Sequence, residues 1–194
     1  FPGLFRLSEA PKPPVPAMHL HHHSSILREV RKRDHILHYP YQSFRYFIDM
    51  LREAAIDPNV IEIQVTLYRV AKKSMVVNSL INAARNGKRV VVVIELQARF
   101  DEEANIYWSN RFQEVGIKVI HGVPGLKVHS KLLLITRKEQ RSLERYAYIG
   151  TGNFQERTAR IYCDEGLFTF DKNITSDVAK VFEFFDKNYK QHIF

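Results

Sequence analysis

Two short segments of this sequence carry side chains that can do chemistry on phosphate. One is Leu126-Lys127-Val128-His129-Ser130-Lys131 and the other is Gly150-Thr151-Gly152-Asn153. In an extended strand, residues two apart share a face, so His129 and Lys131 are expected to point the same way. An imidazole there can act as a nucleophile, and an ammonium beside it can steady a transferring phosphoryl group. Two glycines let backbone N–H groups come close to an anion, and Asn153 adds a side-chain amide. Arg69 and Arg99 extend the set, because guanidinium forks hold phosphate oxygens. Each feature alone has a plainer reading. His129 and Lys131 can be a partly buried histidine with a snorkelling lysine, the glycine segment a tight turn, and the arginines partners of local carboxylates such as Asp101. Together, the two segments are far more specific than either one.

These groups meet only if the elements bring them to one edge. Phe44, Phe47, Ile48, Leu51 and Ala55 recur at helical spacing, and Asp57-Pro58 closes that helix. Val60 to Tyr68 is rich in β-branched residues and reads as a strand. A helix follows, with Ser74 as N-cap and Gly87 as its stop. Val90 to Leu96 is an apolar run of the kind covered on both faces in parallel sheets. Asp101, Glu102 and Glu103 open the next helix, which ends at Gly116, and Ile117 to Ile120 is a third strand. Val128 to Thr136 and Tyr146 to Ile149 are separated by a charged loop with no helix, so an antiparallel hairpin is expected. Gly166 to Phe170 is a further strand, and Val178 to Phe185 a closing amphipathic helix. The fold class is α/β, a mixed sheet flanked by helices. Ligands of open α/β sheets bind beyond the carboxyl ends of the parallel strands, where Arg69 and Arg99 fall. A hairpin strand antiparallel to those three starts at the same edge and delivers His129 and Lys131 to it.

His129-x-Lys131 followed by Gly150-Thr151-Gly152-Asn153 resembles the phospholipase D-like superfamily signature of His-x-Lys, four residues, Asp, then Gly-Ser-x-Asn. Thr136 stands at the Asp position, and Gly-Thr-Gly-Asn replaces Gly-Ser-x-Asn. Those departures argue against a nuclease or phospholipase and match one branch, the polyphosphate kinase family of the large bacterial type. The likeness runs through the chain from about residue 20 to 194. It takes in His38-Tyr39-Pro40-Tyr41, Thr66-Leu67-Tyr68-Arg69, the segment from Glu95 through Arg99 to Asn105, Gly125 to Lys131, and Ile149 to Asn153.

The resemblance implies a phospholipase D-like fold and an ATP:polyphosphate phosphotransferase. In it, His129 takes the γ-phosphate of ATP and passes it to a polyphosphate end. Lys131, Asn153 and Asp164 would complete the catalytic set, with Asp164 orienting His129 by accepting its second ring proton. Tyr162 matches a position near the ATP base. Arg69 and Arg99 match positions that hold phosphate and are associated with Mg²⁺, which would bridge nucleotide phosphates with few protein carboxylates. Partners implied are ATP or ADP, inorganic polyphosphate and the remaining domains of a longer parent chain, homo-oligomeric in its full form; nucleic acid is not expected. Phospholipase D-like sites join two half-sites, each with a histidine, and this chain has one. Residues 36–194 would be the first of two catalytic C-terminal domains, holding half an active site and expected to have little or no kinase activity alone.

Composition bounds these readings. The chain has 194 residues with 45% hydrophobic and 26% charged, ordinary for a domain that buries a core. No stretch approaches the roughly 18 consecutive apolar residues of a membrane-spanning helix. The net charge of +8 implies an anionic partner without naming it. Leu126 to Arg160 holds eight basic and three acidic residues, so most of the excess is expected around His129 and the glycine turn. Cys163 is the only cysteine, which excludes an intrachain disulfide and favours the cytoplasm, with membrane association open to the parent enzyme. Residues 1 to about 35 are Pro-rich and non-periodic at first, and read as an arm. Its His19, His21, His22 and His23 lack ligand partners at metal-site spacing. A chain running from Phe1 to Phe194 reads as a piece of something longer. Two rival functions share the same basic patch: a phosphodiesterase pairing two copies, and a non-catalytic module for polyphosphate or nucleic acid.

Overall fold

In the computed structural model, residues 12–20, 24–68, 74–95, 102–140 and 142–187 are described. Among them, one seven-stranded mixed sheet is flanked by five helices. The strands are β1 (His35–Tyr39), β2 (Val60–Leu67), β3 (Arg89–Ile94), β4 (Lys118–His121), β5 (Lys131–Glu139), β6 (Ser142–Gly150) and β7 (Asp164–Thr169). Their order across the sheet is β1-β7-β6-β5-β2-β3-β4. The helices are α1 (Ile26–Lys32), α2 (Arg45–Ile56), α3 (Met75–Arg85), α4 (Glu102–Glu114) and α5 (Lys172–Lys187).

Strands β2, β3 and β4 are parallel, as their apolar runs and intervening helices require. Alternate residues face opposite layers. Val90, Val92 and Ile94 join a core with α1, α2, α3 and the α4 residues Trp108 and Phe112. Val93, Leu132, Leu134 and Ala147 join a second core with Val178, Phe182 and Phe185 of α5. The helix ends follow the sequence: the Ser74 hydroxyl accepts from Val77 N, and Gly87 and Gly116 adopt φ of 78° where α3 and α4 stop.

Two expectations change. The hairpin is longer than its apolar runs. β5 and β6 stay paired from Lys131↔Gly150 to Glu139↔Ser142, so nearly all of the expected charged loop is strand. Arg31 fastens this end, lying 3.5 Å from Glu139 and 2.7 Å from Glu144. The expected arm does not run to residue 35. Ile26–Lys32 is a helix burying Ile26, Leu27 and Val30, and His35–Tyr39 is an edge strand on β7. The α1 start is satisfied from outside, since Glu53 Oε2 accepts from Ile26 N at 2.7 Å and from Leu27 N at 3.2 Å. Before it, Val15 N donates to Tyr41 O at 2.7 Å, holding an extended segment against the body. His21, His22 and His23 lie outside the described residues.

Tyr148, fully buried, lies across two glycines. A Cβ on Gly166 would sit 2.2 Å from its hydroxyl, and one on Gly150 would sit 2.9 Å from its ring. Gly166→Ala is therefore expected to destabilise the fold by about 3 kcal/mol, the upper part of the usual overpacking range. Urea unfolding of the chain reads this directly, and an unchanged midpoint would contradict the contact.

Candidate functional site

The topology collects one set of strand ends. The C-termini of β2, β3, β4 and β6 and the N-termini of β5 and β7 share an edge, because β5 pairs antiparallel with β2 and with β6, and β7 antiparallel with β6. Tyr68, Glu95, His129, Lys131, Gly150 to Asn153 and Asp164 therefore meet there. Arg69 and Arg99 lie outside the described residues, one position beyond Tyr68 and four beyond Glu95.

His129 and Lys131 do not share a face through strand alternation. The β2–β5 ladder ends at Val65↔Leu133, and residues 127–130 have no strand conformation. His129 is exposed, whereas Lys131 is only 6% exposed. The two converge in another way, on the ring of Tyr68. The His129 imidazole meets it edge-on at 5.1 Å between centroids. The ammoniums of Lys127 and Lys131 each lie 5.5 Å from its centroid, within cation–π range. The Lys131 ammonium also donates to the His129 carbonyl.

Charge and burial act on both groups. Burial lowers the His129 pKa below its ordinary 6.5, and the Lys131 and Lys127 ammoniums lower it further by repelling imidazolium. Burial lowers the Lys131 pKa as well, opposed by the nearby Asp164 carboxylate.

Asp164 occupies a different place from the one expected. Among the described residues it makes no hydrogen bond with the His129 ring. Its Oδ1 accepts from the Thr151 hydroxyl at 2.9 Å, and that hydroxyl accepts in turn from Glu165 N at 2.9 Å. Its electrostatic reach is to Lys131. Gly152 is needed for this arrangement, since a Cβ there would fall 2.3 Å from Asp164 Oδ2. Neither Gly150 nor Gly152 has a left-handed φ, so both are glycine because side chains crowd them. The Thr151 N–H is spent on Glu165 O at 3.0 Å and is not offered to a ligand. Asn153 keeps a buried side-chain oxygen with no partner among the described residues. Tyr162 is 61% exposed, two residues before Asp164, with its ring face open.

Four contributors were given no role of their own from the sequence. Thr66 and Glu95 stand at the carboxyl ends of β2 and β3, where the open-sheet rule points, but both read there as ordinary strand residues. Tyr68 sat unremarked beside Arg69. Glu156, just past the glycine turn, closes over the start of α3: its Oε1 accepts from Met75 N at 2.6 Å and from Val76 N at 3.3 Å.

The basic residues divide between the two ends of the hairpin: Lys127, Lys131 and, in the segment linking β6 to β7, Arg157 and Arg160 lie toward the site end with Glu156 among them. Arg137, Lys138 and Arg145 sit at the far end of the hairpin, roughly 20 Å from Lys131 at 3.3 Å per residue. Arg137 is tied to Asp57 and Glu139 there. Lys127 and Lys131 are the cations that the structure brings to His129. Among the described residues, no group of three His, Cys, Asp or Glu side chains is arranged to hold a metal ion.

Residues 25–191 match the family model described as polyphosphate kinase C-terminal domain 1. The chain belongs to that family. It is 51% identical over 186 residues to a polyphosphate kinase of Vibrio vulnificus, covering 95% of this chain and 27% of that protein. It is 53% identical over 161 residues to that of Escherichia coli K12, covering 83% of this chain and 23% of that protein. The chain thus spans about a quarter of the length of these curated relatives. Among solved structures, the polyphosphate kinase of Porphyromonas gingivalis superposes with a TM-score of 0.85 at 39% identity, over 100% of this chain and 32% of the other. The phospholipase D family member Nuc of Salmonella typhimurium superposes at 0.61 with 16% identity, over 81% of this chain and 93% of the other, a likeness of fold alone. The family's phospholipase D-like architecture is the one described above.

The depressed His129 pKa has a definite sign. Neutral imidazole, the nucleophilic form, persists to lower pH than for a free histidine. Any contribution to stability is present above the unfolded value and lost as pH falls through the folded one. An NMR titration of the His129 ring is expected to show an apparent pKa below 6.5, moved upward by Lys131→Met. A midpoint that ignores Lys131 would refute the electrostatic account.

Proposed function

We propose that the chain supplies the nucleophilic half-site of an ATP:polyphosphate phosphotransferase acting through a phosphohistidine at His129. The observation that carries this reading is an exposed, neutral-biased imidazole fixed beside two ammoniums on the Tyr68 ring. A ring nitrogen of His129 attacks the γ-phosphorus of ATP in line. The N–P bond forms as the bond from phosphorus to the β–γ bridging oxygen breaks, and ADP leaves. In the second step a terminal oxygen of polyphosphate attacks that phosphorus and the N–P bond breaks, returning neutral His129 and a chain longer by one phosphate. Both steps are reversible. The acceleration comes from positioning and charge neutralisation, as is usual for phosphoryl transfer.

Lys131 and Lys127 supply positive charge beside the transferring group, and the side-chain N–H₂ of Asn153 is a donor suited to a phosphate oxygen. Asp164 acts on Lys131, holding its charge near the site despite burial. Arg69 and Arg99, in the segments following β2 and β3, hold the phosphates. A guanidinium has no lone pair to give a cation, so their link to Mg²⁺ runs through phosphate oxygens. The cationic donor set around His129 fits an incoming metal–nucleotide complex, with Mg²⁺ carried on the phosphates and lowering their charge. Tyr162 offers an open ring face to the adenine. The remaining domains of the parent chain would bring the second half-site, and the full-length enzyme would assemble as a homo-oligomer.

The test is the full-length parent enzyme with γ-labelled ATP. An acid-labile, base-stable label is expected on His129 and is lost in His129→Ala. Label that survives that substitution would sink the assignment. The isolated chain, with one His-x-Lys, is expected to turn over at a small fraction of the parent rate, and full activity in it would show that one half-site suffices.

A further inference from the structure

Two buried side chains hold the backbone on both sides of His129, and a third holds the residue that carries one of them. Past Leu133, β5 has no ladder partner on β2, so the N–H and C=O groups nearer His129 need other partners. Thr66, 2% exposed, serves one side: its hydroxyl donates to Ser130 O at 2.7 Å and accepts from Leu132 N at 2.9 Å. Glu95, 5% exposed, serves the other: its Oε2 accepts from Val128 N at 2.9 Å. A carboxylate is costly to bury, so one that accepts from the amide next to the nucleophile calls for something to hold it in place.

Asn105 supplies it. This α4 residue is fully buried, and its Nδ2 donates to Glu95 O at 2.9 Å and to Tyr68 O at 3.1 Å. Those carbonyls belong to the last described residues of the β2 and β3 ends, from which the chain runs on to Arg69 and to Arg99. Glu95 N also donates to Leu67 O at 3.1 Å. One amide therefore clamps the stems of both arginine-bearing segments. The residue it clamps holds, through its own carboxylate, the residue before His129.

We propose that Glu95, Asn105 and Thr66 are positioning residues for phosphoryl transfer, fixing the His129 backbone relative to the stems that carry Arg69 and Arg99. This rests on the phosphohistidine reading given above. Its consequence is kinetic. Loss of the clamp displaces a nucleophile that must meet phosphorus in line, and misplacement by about 1 Å can cost about 100-fold in rate.

The experiment uses the full-length enzyme with Glu95→Ala, Glu95→Gln, Asn105→Asp and the isosteric Thr66→Val, following both His129 labelling by rapid quench at saturating ATP and the KM for ATP. Glu95→Ala is expected to slow labelling by about 30- to 100-fold with KM changed by less than about threefold. Glu95→Gln keeps an oxygen for Val128 N and is expected to restore labelling to within about fivefold of wild type. Asn105→Asp replaces both donors by an acceptor facing two carbonyls, and Thr66→Val removes the hydroxyl without changing shape; each is expected to slow labelling by about 10-fold or more. If Glu95→Ala does not fold, the other three decide. Wild-type enzyme that gives no label on His129 overturns the phosphohistidine reading and this one with it. Wild type that labels, with Asn105→Asp and Thr66→Val folded and within threefold of it, overturns the positioning role alone. So does a rise in KM with an unchanged labelling rate, or a glutamine variant as slow as the alanine one.

Discussion

The antiparallel pairing of β5 with β2 is the constraint on which the site depends. Three parallel strands with crossover helices would by themselves build an open sheet whose C-terminal edge carries only loops. Reversing direction at the fourth position in the sheet puts the start of a strand on that edge, and with it Lys131 and the segment that leads in through His129. The reversal is held by the buried Leu133, Leu134 and Ile135 and by nine register pairs with β6, so the site is borne by the most interior part of the fold. Where the ladder stops, side chains replace backbone as hydrogen-bond partners, and the strand turns into a displayed loop.

That transition explains the division of labour around His129. The ring is exposed and meets Tyr68, while its neighbours Val128 and Lys131 are buried. Exposure leaves the imidazole accessible to a ligand, and burial of the flanks keeps it from wandering. Lys131 pays for its position in desolvation, which Asp164 offsets by charge rather than by a direct contact. Asp164 is itself fastened to Thr151, so the two halves of the bipartite motif are linked through one carboxylate.

Much of this was legible from residue order. β-branched and continuous apolar runs, helical spacing and helix caps located β2, β3, α2, α3 and α4, and the strand-direction argument put His129 beside the ends of the parallel strands. What escaped had physical reasons. α1 is seven residues long, too short for its apolar spacing to stand out, and its local Ser25 cap is completed by Glu53, far away in sequence. β5 and β6 run on through charged residues because Arg31 pairs with Glu139 and Glu144, and Arg137 with Asp57, across elements, which periodicity cannot reveal. The glycines of the turn looked like conformational necessities and are steric ones, dictated by Tyr148 and Asp164. Counting charges along the chain placed the basic excess at the site, and the nine-residue hairpin carries Arg137, Lys138 and Arg145 away from it together with Glu139 and Glu144. Thr66, Glu95 and Asn105 were hidden for a related reason: they act on the backbone of residues between 10 and 66 positions away, and each looks ordinary among its own neighbours.

The carboxylate of Glu156 has a bearing on how negative ligands are held. A helix start is a fixed anion receptor, made of main-chain dipoles that neither titrate nor swing aside. At α3 that receptor is already filled from within by Glu156. Attraction of an anion toward this part of the edge is thereby left to side chains, among them the Lys127 and Lys131 ammoniums beside Tyr68. Side chains can swing toward or away from a ligand, where main-chain dipoles would have been fixed.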